Sequence, residues 1–323
     1  MLKVSPILEE DLKKVDNLLL EMVSDGGEKM KEVARYIFQS GGKRLRPLLL
    51  ILTSKLFGYK GEDHIKLASA VEFVHTATLL HDDVIDGAAL RRGKPSVNSV
   101  WGNEVSILTG DFLFARASKI VHEVRNEKII NLLLTVVEKM VEGEFLQMKV
   151  KGNVEEGGKF YFEIIRNKTS RFISACCEIG GILAKVNRKD QERLKEFGLE
   201  IGDAFQIVDD VIDFCGDPLI MGKKPGKDIE EGKVTLPLFL AYQNADRKTQ
   251  NKIKKIMEKT TSKTEREIKW LINLAREKKG IESALQVARE KIENAKRVLN
   301  FFPDNIYRRE LKNLSEYIIN RRA

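Results

Sequence analysis

Two runs of carboxylates carry the strongest chemical signal in the sequence. Asp82, Asp83 and Asp86 lie in Leu79-Leu80-His81-Asp82-Asp83-Val84-Ile85-Asp86, and the same internal spacing returns in Gln206-Ile207-Val208-Asp209-Asp210-Val211-Ile212-Asp213. On a helix the first and third carboxylates of each triplet share a face, with the second on the flank. Apolar residues surround both runs, and carboxylates clustered in such surroundings cost free energy unless cations neutralise them. Hard divalent ions suit oxygen ligands, Mg²⁺ above all when a substrate phosphate shares the ion. Six carboxylates around one cavity would hold two or three Mg²⁺ ions, which would bind a diphosphate as leaving group.

Basic residues stand where such a leaving group needs them. Gly41-Gly42-Lys43-Arg44-Leu45-Arg46-Pro47 sets two glycines and three cations at a helix start, where unpaired N–H groups favour anions. Arg91 and Arg92 follow the first triplet by a short loop and can fold back over a bound phosphate; arginine suits bidentate phosphate contact. His75 is seven residues before Asp82, on nearly the same helical face, and its spacing fits a substrate contact or a core histidine equally well. His81, on another face, reads as structural. Lys168-Thr169 falls mid-helix and could turn a cation and a hydroxyl inward. Lys223, in Gly222-Lys223-Lys224-Pro225-Gly226-Lys227-Asp228, and Lys233 beyond it belong to a loop able to close over a polyanion. Cys176 and Cys177 read as small core residues, since no partner base is evident.

The elements that must carry these groups are helices. Apolar residues recur at helical period over 5–23, 28–39, 104–124, 127–150 and 158–186, and two further helices, from about 62 and about 189, run into the two triplets. Pro47 fits the first turn of a helix that is almost wholly apolar from Leu48 to Leu56 and is therefore buried. Residues 87–95 and 216–235 read as loops, and 236–323 return to charged amphipathic helices. No series of strands, zinc spacing, phosphate loop or Ser-His-Asp signature is present. These features predict an all-α fold, a single large helical bundle over 1–323 with a central cavity. The composition, 42% hydrophobic and 32% charged, excludes disorder. The net charge of +8 is spread among interleaved acids and bases, which speaks against nucleic acid. Three cysteines make no disulfide framework, and no apolar span reaches a membrane-crossing length; both fit a cytoplasmic setting.

Six ordered blocks give the chain a family resemblance over almost its whole length: 41–47, 72–86, Leu-Arg-Arg-Gly-Lys-Pro at 90–95, Lys-Thr at 168–169, Phe-Gln-Ile-Val-Asp-Asp-Val-Ile-Asp at 205–213 and Glu-Gly-Lys-Val-Thr-Leu-Pro at 231–237. The sequence resembles the trans-isoprenyl diphosphate synthases, nearest the medium- and long-chain polyprenyl branch that includes octaprenyl diphosphate synthase. That resemblance implies an all-α homodimer of the isoprenoid synthase type. Asp82, Asp83, Asp86, Asp209 and Asp213 would hold Mg²⁺; Lys43, Arg46, His75 and Arg92 would bind isopentenyl diphosphate. Arg91, Lys168, Lys223 and Lys233 would face the allylic diphosphate, with farnesyl diphosphate as primer, and Thr169 and Gln206 would steady the carbocation. Gly87-Ala88-Ala89 departs from many relatives, which are more polar there.

Product length would be set by the residues one or more turns before the first triplet. Val71, Val74, Ala77 and Thr78 include no aromatic ring, which predicts an open tunnel and a medium or long chain such as octaprenyl, the length of a quinone side chain, with its floor at Phe145. Peripheral membrane contact would then serve product release. The alternatives are a short-chain farnesyl or geranylgeranyl synthase, disfavoured by Ala77, a terpene cyclase, which would not need Lys43 and Arg46, and a non-catalytic prenyl-diphosphate-binding subunit, disfavoured by the completeness of both triplets.

Overall fold

Apolar residues at every third or fourth position leave most of the chain one stable local solution, an amphipathic helix packed by its apolar face. The computed structural model describes residues 6–39, 41–215, 225–259 and 262–321. In chain order it forms α1 (Pro6–Glu21), α2 (Glu28–Gln39), α3 (Leu45–Leu56), α4 (Asp63–Ile85), α5 (Val97–Trp101), α6 (Asn103–Glu123) and α7 (Glu127–Val150). Next, α8 (Val154–Ile165) runs through a π-helical turn (Arg166–Ser170) into α9 (Arg171–Leu183), followed by the long α10 (Arg188–Cys215). The remaining helices are α11 (Lys227–Glu230), α12 (Leu236–Gln243), α13 (Arg247–Met257), α14 (Glu265–Glu277), α15 (Gly280–Leu299) and α16 (Ile306–Asn320). Among the described residues the only strands are β1 (Leu90–Arg91) and β2 (Lys94–Pro95), and no helix is long and apolar enough to cross a membrane.

The chain divides into two compact units. The first comprises Met1–Leu133, Ala175–Lys195 and Phe301–Leu311. Its centre is α3, whose residues are buried from Leu45 through Ser54; a helix apolar on all sides is stable only inside a core. Each fully buried leucine there contributes roughly 2 kcal/mol. Helix α4 packs along α3, α1 and α6. Phe73 of α4 meets Phe38 edge-on, with ring centroids 5.7 Å apart, and Ser106 of α6 donates to the Leu80 carbonyl at 3.0 Å. These contacts fix the end of α4 that carries the first triplet.

The second unit comprises Leu134–Ser174, Glu196–Asn300 and Lys312–Ala323. One core joins Phe214 of α10 to Leu238, Ala241 and Tyr242 of α12, Ile253 and Ile256 of α13, and Leu271 and Leu274 of α14. A second joins Tyr161 and Ile165 of α8, Ile207 and Val211 of α10, and Ala284 and Ala288 of α15. Together they hold α10 along the length that carries the second triplet.

Two segments depart from the pattern read in the sequence. The helix predicted over 158–186 begins at Val154, where the Asn153 side chain accepts the Glu156 N–H at 3.1 Å, and it is interrupted by the π-helical turn. That interruption coincides with Arg166 and Ser170 both reaching the buried Asp203 of α10. The loop predicted over 87–95 contains an antiparallel hairpin pairing Leu90 with Pro95 and Arg91 with Lys94. Its Arg92-Gly93 tip has both φ positive, 52° and 74°, the conformation that suits the twist of a two-residue hairpin.

Candidate active site

In the first unit the end of α4 sorts the three carboxylates of its triplet. Asp82 is half-buried, Asp86 exposed, and Asp83 buried on the flank. Arg91 lies across Asp83: Nε is 2.8 and 2.7 Å from its two oxygens and Nη2 is 2.6 Å from Oδ1. Both oxygens of Asp83, which the resemblance names as a metal ligand, are engaged here by one guanidinium. Asp82 and Asp86 stand one helical turn apart at the end of α4.

The hairpin turns Arg92 onto the glycine pair. Its Nη1 donates to the Gly41 carbonyl, and a Cβ on Gly42 would stand 2.9 Å from the same nitrogen. Glycine at 42 is what admits the guanidinium so close. Of the three cations that follow, Lys43 is exposed and Arg46 is buried in the first turn of α3. Arg44 is structural: its Nε donates to Asp16 at 2.9 Å and its Nη1 to Glu72 at 2.6 Å.

His75 is half-buried on α4. Burial, and then the charges of Arg46, Arg92, Arg91 and Arg44, hold its pKa well below the usual histidine value. A neutral imidazole thus sits in a strongly positive field, suited to an anion. A cavity of about 50 Å³ is lined by Arg44, Glu72, Thr76, Asp83, Arg91 and Arg92, among others. His81 packs on Gly110 with Nε2 3.2 Å from the Ile107 carbonyl, away from this cluster. Ala77 is buried, and Thr78 spends its hydroxyl on the His75 carbonyl at 2.8 Å.

In the second unit a chain of hydrogen bonds backs the second triplet. Thr169 Oγ1 donates to Gln206 Oε1 at 2.9 Å, Gln206 Nε2 donates to Asp210 Oδ1 at 2.9 Å, and Tyr161 donates to Asp210 Oδ2 at 2.6 Å. Burial, and then Asp228, raise the Asp210 pKa well above the usual carboxylate range. The π-helical turn that presents Thr169 is anchored on Asp203, which takes Ser170 Oγ at 2.7 Å, Arg166 at 3.1 Å and Lys291 at 3.1 Å. Lys168 Nζ is 2.7 Å from Gln147 Oε1 and also pairs with Glu144 of α7. Gly143 permits that approach, because a Cβ there would meet the Asn167 side chain at 2.8 Å.

Asp209 is more exposed than its neighbours and takes Arg321 Nη2 at 2.8 Å. Asp213 is buried, and its Oδ2 accepts the Asp228 N–H at 3.1 Å at the start of α11. The backbone N–H of Gly226 likewise binds the Asp213 carbonyl at 2.8 Å, so this residue ties the end of α10 to the following loop. In that loop Lys233 pairs with Glu231 at 2.7 Å; Lys223 lies outside the described residues. Phe145 is corrected: its ring is 68% exposed on the surface of α7, so within this chain it cannot close the floor of a tunnel. Among the described residues no three His, Cys, Asp or Glu side chains form a metal cluster. Burial pushes the Cys176 thiol up to about 12, in keeping with a core position.

Sequence reasoning missed Tyr161, Glu72, Glu144 and Arg321, and gave Asp210 no role of its own beyond its place among the six carboxylates. Asp210 carried a signal, as the flank member of its triplet. Arg321, 112 residues beyond Asp209, carried none.

The chain matches the polyprenyl synthetase family over residues 27–275 and belongs to it. It is 31% identical over 319 residues to octaprenyl diphosphate synthase of Escherichia coli (strain K12), covering 99% of this chain and 98% of that protein. It is 34% identical over 313 residues to an all-trans-nonaprenyl-diphosphate synthase (geranyl-diphosphate specific) of Rhodobacter capsulatus, covering 97% and 95%. The crystal structure of polyprenyl synthase from Caulobacter crescentus CB15, complexed with calcium and isoprenyl diphosphate, matches with a TM-score of 0.93 at 35% identity, covering 98% of this chain and 96% of that one. The protein is a prenyltransferase of the trans-polyprenyl diphosphate synthase type, with the helical isoprenoid synthase fold.

Proposed function

We propose that the protein condenses isopentenyl diphosphate repeatedly, head to tail, onto an allylic diphosphate to build a medium- or long-chain all-trans polyprenyl diphosphate, with octaprenyl as the assigned product and farnesyl diphosphate as primer. The observation that carries this is the gathering of Arg46, Arg91 and Arg92 around a neutral His75 on the helix that also displays Asp82 and Asp86. Cations and carboxylates side by side are what a diphosphate bound through metal requires.

The donor set fits Mg²⁺. In the first unit Asp82 and Asp86 offer hard oxygens one turn apart, and in the second Asp209 offers a partly exposed carboxylate of the same kind. Two to three Mg²⁺ ions held by these carboxylates would supply the positive charge that a departing diphosphate needs. Lys43, Arg46, His75 and Arg92 hold isopentenyl diphosphate by its charged end, and Arg91, braced on Asp83, holds the allylic diphosphate. Lys168, Lys223 and Lys233 add positive charge for the same group, and the Thr169–Gln206 pair presents oxygen dipoles that favour the allylic cation. The isopentenyl double bond then attacks, and the released diphosphate takes the proton.

The single-domain reading also stands as a proposal, supported by the chain passing between its two units inside α7, α9, α10 and α16. A homodimer is supported by a stripe of exposed apolar residues on α7, Leu134, Val141, Phe145 and Met148, which a second copy would cover. A cytoplasmic location is proposed from the cysteine usage. The test is turnover of isopentenyl and farnesyl diphosphates with Mg²⁺: condensation abolished by a chelator supports the reading, and no condensation by the pure protein overturns it in favour of a binding subunit.

A further inference from the structure

The interleaving of acids and bases read along the chain as a whole fails in one stretch, where nearly all of the net charge lies. Residues 246–279, the span of α13 and α14, hold twelve Lys and Arg against five Asp and Glu, a net +7 of the +8 carried by the whole chain. Both helices turn their apolar faces into one core, Ile253, Ile256 and Met257 from α13 and Leu271, Leu274 and Ala275 from α14. Their opposite faces are therefore solvent-facing. On α13, Lys248, Lys252 and Lys255 follow a spacing of four and three residues and are all exposed, forming a single stripe that Lys259, just past the helix and paired with Glu267 at 2.5 Å, continues. On α14, Arg266, Lys269 and Arg276 are exposed at three and seven residues. Lys252 Nζ stands 3.9 Å over the half-buried ring of Trp270, which joins the two stripes into one surface.

We infer that this face docks on a membrane surface rich in anionic lipid. Clustered Lys and Arg on an amphipathic helix are attracted to anionic headgroups, each charge adding to the binding. Trp270, apolar in body with one N–H, is of the kind that settles at headgroup depth. The product argues for the same partner and rests on the long-chain reading above: a diphosphate with a long hydrocarbon tail has low solubility in water, and the charged face would hold the enzyme where that tail can be taken up. A nucleic acid is less well served, because Trp270 lies beneath a lysine rather than free to stack on a base.

Flotation of the full chain with vesicles tests this without any substrate, so its outcome is separate from that of the condensation assay. On phosphatidylcholine vesicles containing about 30% phosphatidylglycerol the protein is expected to float at low salt and to be released at roughly 0.5 M salt. Combined Lys248→Glu, Lys252→Glu, Lys255→Glu and Lys269→Glu should weaken binding at least about tenfold. The charge-matched set Lys60→Glu, Lys66→Glu, Lys128→Glu and Lys189→Glu, also at exposed positions, should weaken it far less. Should the reversed set fold poorly, the same four positions changed to Gln give the same comparison. Condensation with farnesyl diphosphate in the absence of vesicles should be unchanged in both sets. No flotation, equal flotation on pure phosphatidylcholine, equal losses in the two sets, or tighter binding of a duplex oligonucleotide at matched salt would each overturn the assignment.

Discussion

Asp83 receives Arg91 on both of its oxygens, at 2.6 to 2.8 Å, at the end of the helix that displays Asp82 and Asp86. In the proposed site the middle carboxylate of the first triplet acts through an arginine, and the outer two are the proposed metal donors. Asp83→Asn and Arg91→Lys should each lower kcat/KM for the allylic substrate about a hundredfold, because Lys lacks the planar fork. The double variant should be little worse than either single one, a coupling of about 2 kcal/mol in a double-mutant cycle. Additive losses in steady-state kinetics would show that the two residues act separately.

Tyr161 reaches the second triplet only through Asp210. Tyr161→Phe leaves one buried carboxylate oxygen without its donor, which should cost about 1–3 kcal/mol in denaturant unfolding. If the network aims Gln206 and Thr169, kcat should fall roughly tenfold with KM little changed, since the loss falls on the transition state. A stability loss with kcat intact would reduce Tyr161 to a packing role.

Gly42 tests the isopentenyl side. Its missing Cβ leaves room for Arg92 Nη1 at 2.9 Å, and the atom that must yield is the tip of a flexible side chain. Gly42→Ala should therefore keep the fold, unfolding within about 1 kcal/mol of the parent, while raising KM for isopentenyl diphosphate about tenfold by displacing the guanidinium. An unchanged KM would remove Arg92 from that site.

The histidines set a pH dependence with a definite sign. His75 is held well below its usual pKa, first by burial and then by four arginines, and burial lowers His64 as well. Below about pH 6.5 the unfolded chain takes up protons that the folded chain refuses, so stability is full above that pH and declines as pH falls, by up to ~1.4 kcal/mol per pH unit for each group. His75→Gln should flatten this slope without abolishing it, since His64 remains. Urea midpoints between pH 7 and 5 measure it; an unaltered slope would show that His75 is not held neutral.

Much of this was readable from residue types. The period of apolar residues located α2 and α7 to the residue, and α7 starts where the Asn126 side chain accepts the Ile129 N–H at 3.3 Å. The triplets were legible because acids among Leu, Val and Ile conflict with burial, and such conflict marks a site. What the pattern hid was long-range. The π-helical turn at Arg166–Ser170 follows from Asp203, 33 residues beyond Ser170, and periodicity contains no trace of that contact. The hairpin at Leu90–Pro95 has Arg-Gly at its tip in place of the usual Asn-Gly signal. Phe145, expected as the floor, is turned outward by its helix, and no spacing in the sequence reports which face of α7 lies against the core. Buried Ala77, on α4 before the triplet, remains the position proposed to govern length.

Chromatography of the products formed from labelled isopentenyl diphosphate and farnesyl diphosphate with Mg²⁺ tests the central claim most directly. The parent protein should give a ladder ending beyond geranylgeranyl length, at octaprenyl, and Ala77→Phe should end it earlier despite costing about 1–3 kcal/mol of stability through overpacking. Products that stop at farnesyl or geranylgeranyl length in the parent, or no extension at all, would contradict the assignment.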